Sequence, residues 1–550
     1  SRLIASIPTS QLITLEAKSL KAEIENSGKI YTEPLFSFSM SFEPYDEITD
    51  LQNRGINLQS SGNDVIHDLY KQTREILSNI KGKSPNLETI GDILSLVKKL
   101  YSVLQQTDLE ADKQIKDLAW TSLGETVAEL CRSLEHEESS GSRFIEFHTL
   151  FKAILLDCAK YDYPQPDRDI PYNHPGWTPT PITSAVIGLL TLSYYSIDED
   201  VLDAIEQLRD DKSPEIRFLI AHRLGLTYHL SPEFYWYNAE KILASEENRI
   251  VLRGLYSNLV WNEIIRDSRS QNYVYSALQE LLADGFDEDL ARILMSIMPN
   301  QMFVAQAEWA LDIASWITQN PIRNSNHFSL LVWTVLRYIQ PSDKHQQPLS
   351  RTIIWIEKIT EITKSSLFEL ANKAIIDGWN DEVSAKFNEL QRTLDNIVHQ
   401  LYFRLGVETD DTINKKTPLP VEQQKAFYSQ IKNILLSLSQ LPNNGKIAIM
   451  SPHTVDYFMK IMLSVVGYAP SAIIQMVSNI IKSSQSSNYQ FDDHAIKKFV
   501  ALVERVFVDY PETLKNQEDM TYILETIEIF INAGRLEAFK LLQRLPEIFR

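Results

Sequence analysis

Three groups of side chains in this sequence are of types that can carry chemistry, and each group can be held against the spacing its chemistry requires. Glu135, His136, Glu137 and Glu138 stand together, with Glu146 and His148 a short way on. A helical zinc site of the H-E-x-x-H kind needs its histidines four residues apart, so that both rings leave one helix face. His136 and Glu137 supply the first two letters, but Ser140 stands where the second histidine belongs. The acidic residues around it are read as solvated groups in a polar loop, and no metal is expected. Cys158 and His148 could pair as nucleophile and base. Ten residues along an ideal helix leave them about 80° apart, which separates thiol from ring. Gly82-Lys83-Ser84 ends like a phosphate-binding loop, but the first glycine of that loop would fall at Leu77. No G-x-S-x-G elbow and no kinase or β-lactamase signature occurs. Neither an active site nor a cofactor is expected.

Composition points the same way. The 550 residues suffice for three to five domains or one long repeat array. Hydrophobic residues at 44% and charged residues at 23% are ordinary for a chain that folds around a core. Glycine is scarce, 17 in the whole chain, so loops that need positive φ, phosphate cradles among them, are few. A net charge of −20 opposes DNA and RNA backbones, and no basic stripe overrides it. The two cysteines, Cys131 and Cys158, lie in apolar helical stretches and suit a reducing, cytoplasmic setting. Apolar runs such as 185–192 stop well short of the ~20 residues a membrane span requires. The chain opens SRLIASIPTS, without Met or a secretion signal, so residue 1 is read as interior to a longer polypeptide or as following a cleavage.

The elements that must position any site are mostly helices. Residues 1–62 are an arm in which Phe36, Phe38, Met40 and Phe42 alternate with serines, the period-two pattern of one strand. From 63 to 160 the period becomes helical: Ile90, Ile93, Leu94, Val97, Leu100, Tyr101 and Leu104 mark one face, and further helices are predicted over 109–134 and 144–160. Residues 161–181 form a proline-rich strap, where Tyr172 and Trp177 are expected to pin the connector to a helical face. A second polar connector runs from 406 to 420.

Short paired helices follow over 182–345. Val201, Ile205 and Leu208 lead through the turn RDDKSP into Ile216, Ile220, Ala221 and Leu224, with Pro214 at the helix start, where its missing N–H costs nothing. The pattern D-x-x-P-x-I-R-x-x-x-A-x-x-L, carried by Asp211, Pro214, Ile216, Arg217, Ala221 and Leu224, resembles the HEAT repeat. That resemblance implies an all-α solenoid of stacked helix pairs, with Asp and Arg of successive repeats linked along it. In the next unit Val251, Leu255 and Leu259 match, but Leu252 stands where Arg217 would be, which interrupts the expected arginine ladder. Fainter echoes come at 289–297 and 328–336. Taking the apolar stripe as core leaves Arg217, His222, Arg223, Arg249 and Arg253 as a cationic patch suited to an acidic protein surface, with bridging between neighbouring helices the competing role for Arg217.

Residues 346–550 are helical without a visible period. The ending ETIEIFINAGRLEAFKLLQRLPEIFR, with the stretch from WTPTPITSAVIGLLTL to SPEIRFLIAHRLGLTYHLSPEFYW, resembles the C-terminal helical-repeat sensor region of large bacterial STAND-type, ATP-binding antiphage defence proteins. That resemblance implies a cytoplasmic sensor for a phage or defence-system protein, with the nucleotide-binding domain upstream of residue 1. The expected function is protein recognition without catalysis, direct nucleic-acid contact or membrane contact. Two alternatives stay open: an enzyme with an unrecognised site near 130–160, and a regulatory substrate cut by a protease at 163–181 or 406–420.

Overall fold

The computed structural model describes residue 58 and residues 61–80, 87–106, 109–136, 141–163, 179–284, 287–339, 346–406, 419–442, 446–485 and 492–548. The alternating Phe36–Phe42 segment, the Gly82-Lys83-Ser84 sequence, and Tyr172 and Trp177 of the strap lie outside them. Among the described residues there are helices and turns and no strand.

The first helices are α1 (Ser61–Ile80), α2 (Leu87–Leu104), α3 (Lys113–Leu130), α4 (Ser142–Lys160), α5 (Pro181–Tyr195), α6 (Glu199–Arg209) and α7 (Pro214–Arg223). Then come α8 (Pro232–Ser245), α9 (Arg249–Leu259), α10 (Ser268–Asp284), α11 (Glu288–Met295), α12 (Glu308–Gln319), α13 (Ser325–Tyr338) and α14 (Gln346–Asp377). The chain continues through α15 (Asp381–Arg404), α16 (Val421–Ser439), α17 (Pro452–Val465), α18 (Pro470–Ser483), α19 (Asp493–Asp509), α20 (Gln517–Asn532) and α21 (Leu536–Ile548).

Local chemistry starts these helices. Proline occupies the first turn of α5, α7, α8, α17 and α18, where no intrahelical N–H bond is lost. Side-chain oxygens of Asp198, Asn248, Asp287, Asn380, Ser451, Asp492 and Asn516 accept first-turn N–H groups of α6, α9, α11, α15, α17, α19 and α20. Such caps each contribute about 1 kcal/mol.

Packing sorts the helices by parity. Each odd-numbered helix lies against the next odd one, from α1 on α3 through α19 on α21. The even helices form a second layer, in which α4 packs on α6, α10 on α12, and α14 through α20 on one another in turn. An odd helix and an adjacent even one make one antiparallel pair. This is an all-α solenoid: no pair buries its own apolar stripe, so the core exists only by stacking. Apolar burial falls into two clusters that meet inside α7, one spanning residues 66–220 and the other residues 221–541. Phe218 and Phe234 touch both. Among the described residues no helix is long and apolar enough to cross a membrane.

Candidate functional site

The D-x-x-P unit of the sequence is the α6–α7 pair, and its charged residues are held by the turn of the next pair. Arg217 donates to Glu246 through Nε at 2.7 Å and Nη2 at 3.3 Å, and through Nη1 to the carbonyls of Asp211 and Lys212. Glu246 also accepts the Asn248 N–H at 2.8 Å. Although burial works against it, the arginine and these N–H donors hold its carboxyl below the usual range. One unit on, Arg253 donates to Asp287 at 2.8 Å and to Asp289 at 2.7 Å, and Asp287 is likewise held ionised.

The arginine ladder therefore continues past Leu252, a correction to the expected interruption. It runs one residue later along α9, where a single step on the helix still points a long guanidinium at the following turn. Arg217 and Arg253 thus spend their charge on carboxylates of the same molecule. Arg249 is exposed. His222 stacks on Phe218 at 5.5 Å, and its Nδ1 lies 3.0 Å from Ser257 Oγ on α9. Packing around the ring, with Arg223 beside it, lowers its pKa. Arg223 is partly buried; burial and nearby Arg132 lower its pKa, and its Nε has no hydrogen-bond partner.

The other sequence candidates are dispersed. Cys131 and Cys158 are free and fully buried, and burial raises both thiols far above their ordinary value. His148 is buried against Phe144, with its pKa lowered first by burial. Glu146 pairs with Lys98 of α2. The side chains of Glu135 to Glu138 lie outside the described set. Among the described residues, no three His, Cys, Asp or Glu groups are placed to hold a metal.

One feature that the sequence reading missed follows the odd helices to their C-terminal ends. There, at successive units, stand Tyr194, His229, Trp261, Val304, Tyr338 and Phe403, all exposed. Tyr194 stacks on His229 at 5.6 Å. Trp261, 42% exposed, lies across Gly225, where an added Cβ would come within 2.9 Å of the indole; glycine is what lets the ring approach. Phe403, 41% exposed, packs on Tyr402 and Tyr457. Its neighbour Arg404 donates to the Arg337 carbonyl beside Tyr338. The signal available in the sequence was an aromatic ring in the last turn of several odd helices, or just past it.

No family model matches the chain, and no curated protein matches it. Among solved structures, the chain is similar to one of Kap95p binding to RanGDP, over 91% of this chain and 66% of that one, at 12% identity and a TM-score of 0.37. It is similar to SYS-1 over 91% of this chain and 100% of that one, at 10% identity and a TM-score of 0.23. The chain thus spans about two thirds of the length of the first. A likeness at these scores extends neither to partner nor to activity.

Proposed function

We propose that this chain is a protein-recognition solenoid with no catalysis of its own, acting as the cytoplasmic sensor region of a bacterial antiphage defence system and engaging a phage or defence-system protein. The defence setting rests on the sequence resemblance alone. Recognition is supported by one observation: the exposed apolar and aromatic side chains that recur along one edge of the array, at the C-terminal ends of the odd helices. Aromatic side chains offer large contact area at low entropic cost and dominate interface hot spots. His222 and Arg223, in the last turn of α7, add donors at the same ends of the odd helices.

The test is purification of the tagged chain from host cells before and during phage infection. A specific protein should co-purify with the native chain and be lost from a Tyr194→Ser, Trp261→Ser, Phe403→Ser variant whose melting temperature is retained. Capture that survives all three substitutions would remove this edge as the recognition surface. A Glu135→Gln, His136→Ala, Cys158→Ala variant should keep capture and phage protection; loss of protection with capture intact would favour the enzyme alternative.

A further inference from the structure

The turns that open the odd helices differ in how their polar groups are met. Before α9 and α11 a carboxylate takes an arginine from the preceding odd helix and also accepts a backbone N–H of the turn, Glu246 that of the N-cap residue Asn248 and Asp287 that of Leu290 in the first turn. At α15, Asn380 caps by accepting the Val383 N–H at 2.8 Å. At α13 neither role is filled. Asn324 precedes that helix, but its side chain accepts nothing from the first turn. The residue is only 5% exposed, and its Nδ2 has no hydrogen-bond partner. Arg292, at the ladder position on α11, folds back onto Glu288 and lies 5.9 Å from the centroid of Trp333.

A cavity of about 360 Å³ opens at this turn, between the C-terminal end of α10, the start of α13 and the first turn of α15. Its lining includes Leu282, Arg323, Asn324, Ser325, Glu382 and Lys386. Glu382 and Lys386 neutralise one another at 2.5 Å, so exposed Arg323 leaves the rim one net positive charge. The first N–H groups of a helix lack intrahelical acceptors and carry the positive end of its dipole. Beside that helix start, Asn324 Nδ2 is a buried donor in the cavity wall that lacks an acceptor. His327, also in the lining, is pushed down to about 4 by burial and stays neutral at physiological pH.

An apolar tip stands beside this cup. Gly378, at φ 86°, turns α14 into α15, and around it Ile376 is 81% and Trp379 48% exposed. The Trp379 ring meets Phe387 edge-on at 5.4 Å, and Phe387 directly follows Lys386 of the cup.

We propose that this cup docks an acidic segment of a partner protein: a Glu or Asp carboxylate takes the place that Glu246 and Asp287 fill at earlier turns, and an adjoining apolar residue rests on Ile376 and Trp379. The proposal relies on the protein-recognition reading for the kind of ligand. It lies at the N-terminal ends of the odd helices, the edge opposite Tyr194 and Trp261, so variants at the two edges separate the two claims.

The test uses the full chain and an array of immobilised 12-residue peptides in which one Glu or Asp is flanked by Leu or Phe, each beside a twin carrying Gln or Asn. Carboxylate peptides should be retained about tenfold better than their twins, the size of one charge-assisted hydrogen-bonded contact. That preference should vanish in Asn324→Asp, which supplies its own carboxylate to the cup and should melt no lower than the native chain, and should fall in Arg323→Glu and Trp379→Ser. The Tyr194→Ser, Trp261→Ser, Phe403→Ser variant should keep it. Equal retention of the twins, or a preference that survives Asn324→Asp, would overturn the proposal. So would complete displacement by millimolar succinate or inorganic phosphate, which would make the cup a small-anion site, or concentration-dependent dimerisation blocking the peptides, which would make a second copy the occupant.

Discussion

Arg253 and Arg223 sit on consecutive odd helices and should answer substitution in opposite ways. Arg253 is gripped by Asp287 and Asp289; Arg253→Glu sets a third carboxylate beside them and should cost about 1–3 kcal/mol in urea unfolding. Arg223 keeps a buried Nε without an acceptor, and burial and Arg132 work against its charge more than Glu129 offsets them. Arg223→Met should therefore be neutral or stabilising, because it removes a poorly compensated charge at little change in volume. An Arg253→Glu midpoint equal to the native one would mean that the ladder does not hold in solution. His327 gives a pH signature. Its folded pKa of about 4 lies below the ordinary histidine value, so the unfolded chain binds the proton more readily. Its share of stability is full above pH ~6.5 and is lost as pH falls toward 4, on the order of 3 kcal/mol at most. His327→Asn should lose less stability than the native chain between pH 6.5 and 4; parallel declines would count against its burial.

At the scale of elements, neighbouring odd helices are joined by buried polar bridges as well as by apolar stripes. Asn258 on α9 is fully buried. Its Nδ2 donates to the Ala221 carbonyl, and its Oδ1 accepts the Gly225 N–H at 3.2 Å. Across the other layer, Lys364 of α14 is buried and donates to the Ser437 carbonyl of α16 at 2.7 Å. Asn258→Leu would strand a carbonyl and an N–H inside the α7–α9 contact, with about 1–3 kcal/mol lost for each unsatisfied group. Denaturant unfolding should show that loss, and hydrogen exchange should place it in α7 and α9. A loss spread evenly over the chain, or none, would show that the bridge is not what joins these helices.

For the whole molecule, parity stacking predicts an extended body. Small-angle scattering should give a radius of gyration well above the ~24 Å that compact-domain scaling assigns to this length, and a value near it would exclude an open array. Because the two apolar clusters meet only around α7 and the start of α8, and because repeat arrays gain stability from nearest neighbours, urea should unfold the chain in more than one step. The segments α1–α6 and α8–α21 should lose hydrogen-exchange protection at different denaturant concentrations, whereas simultaneous loss everywhere would mean that α7 couples the clusters fully.

Helical periodicity and turn chemistry are local, so the sequence by itself determined the all-α character, the α6–α7 pair from Asp211, Pro214 and Ile216, and the stripes at Phe458, Ile473 and Phe499 that the core absorbs. It left the ladder's register open, since Leu252 and Arg253 are one step apart on a helix and only the position of Asp287 decides which side chain reaches the next turn. It could not separate Arg223, with its Nε buried, from exposed Arg249, because burial depends on residues such as Arg132 from far along the chain. Nothing local in the sequence sets Asn324 apart from an ordinary residue at a helix start. Only the meeting of the end of α10 and the start of α15 around that helix start made the asparagine the wall of a cavity, and only the stacking of successive pairs left Trp261 and Phe403 on an edge instead of in the core. Exposure belongs to the gap between elements, and no single element encodes it.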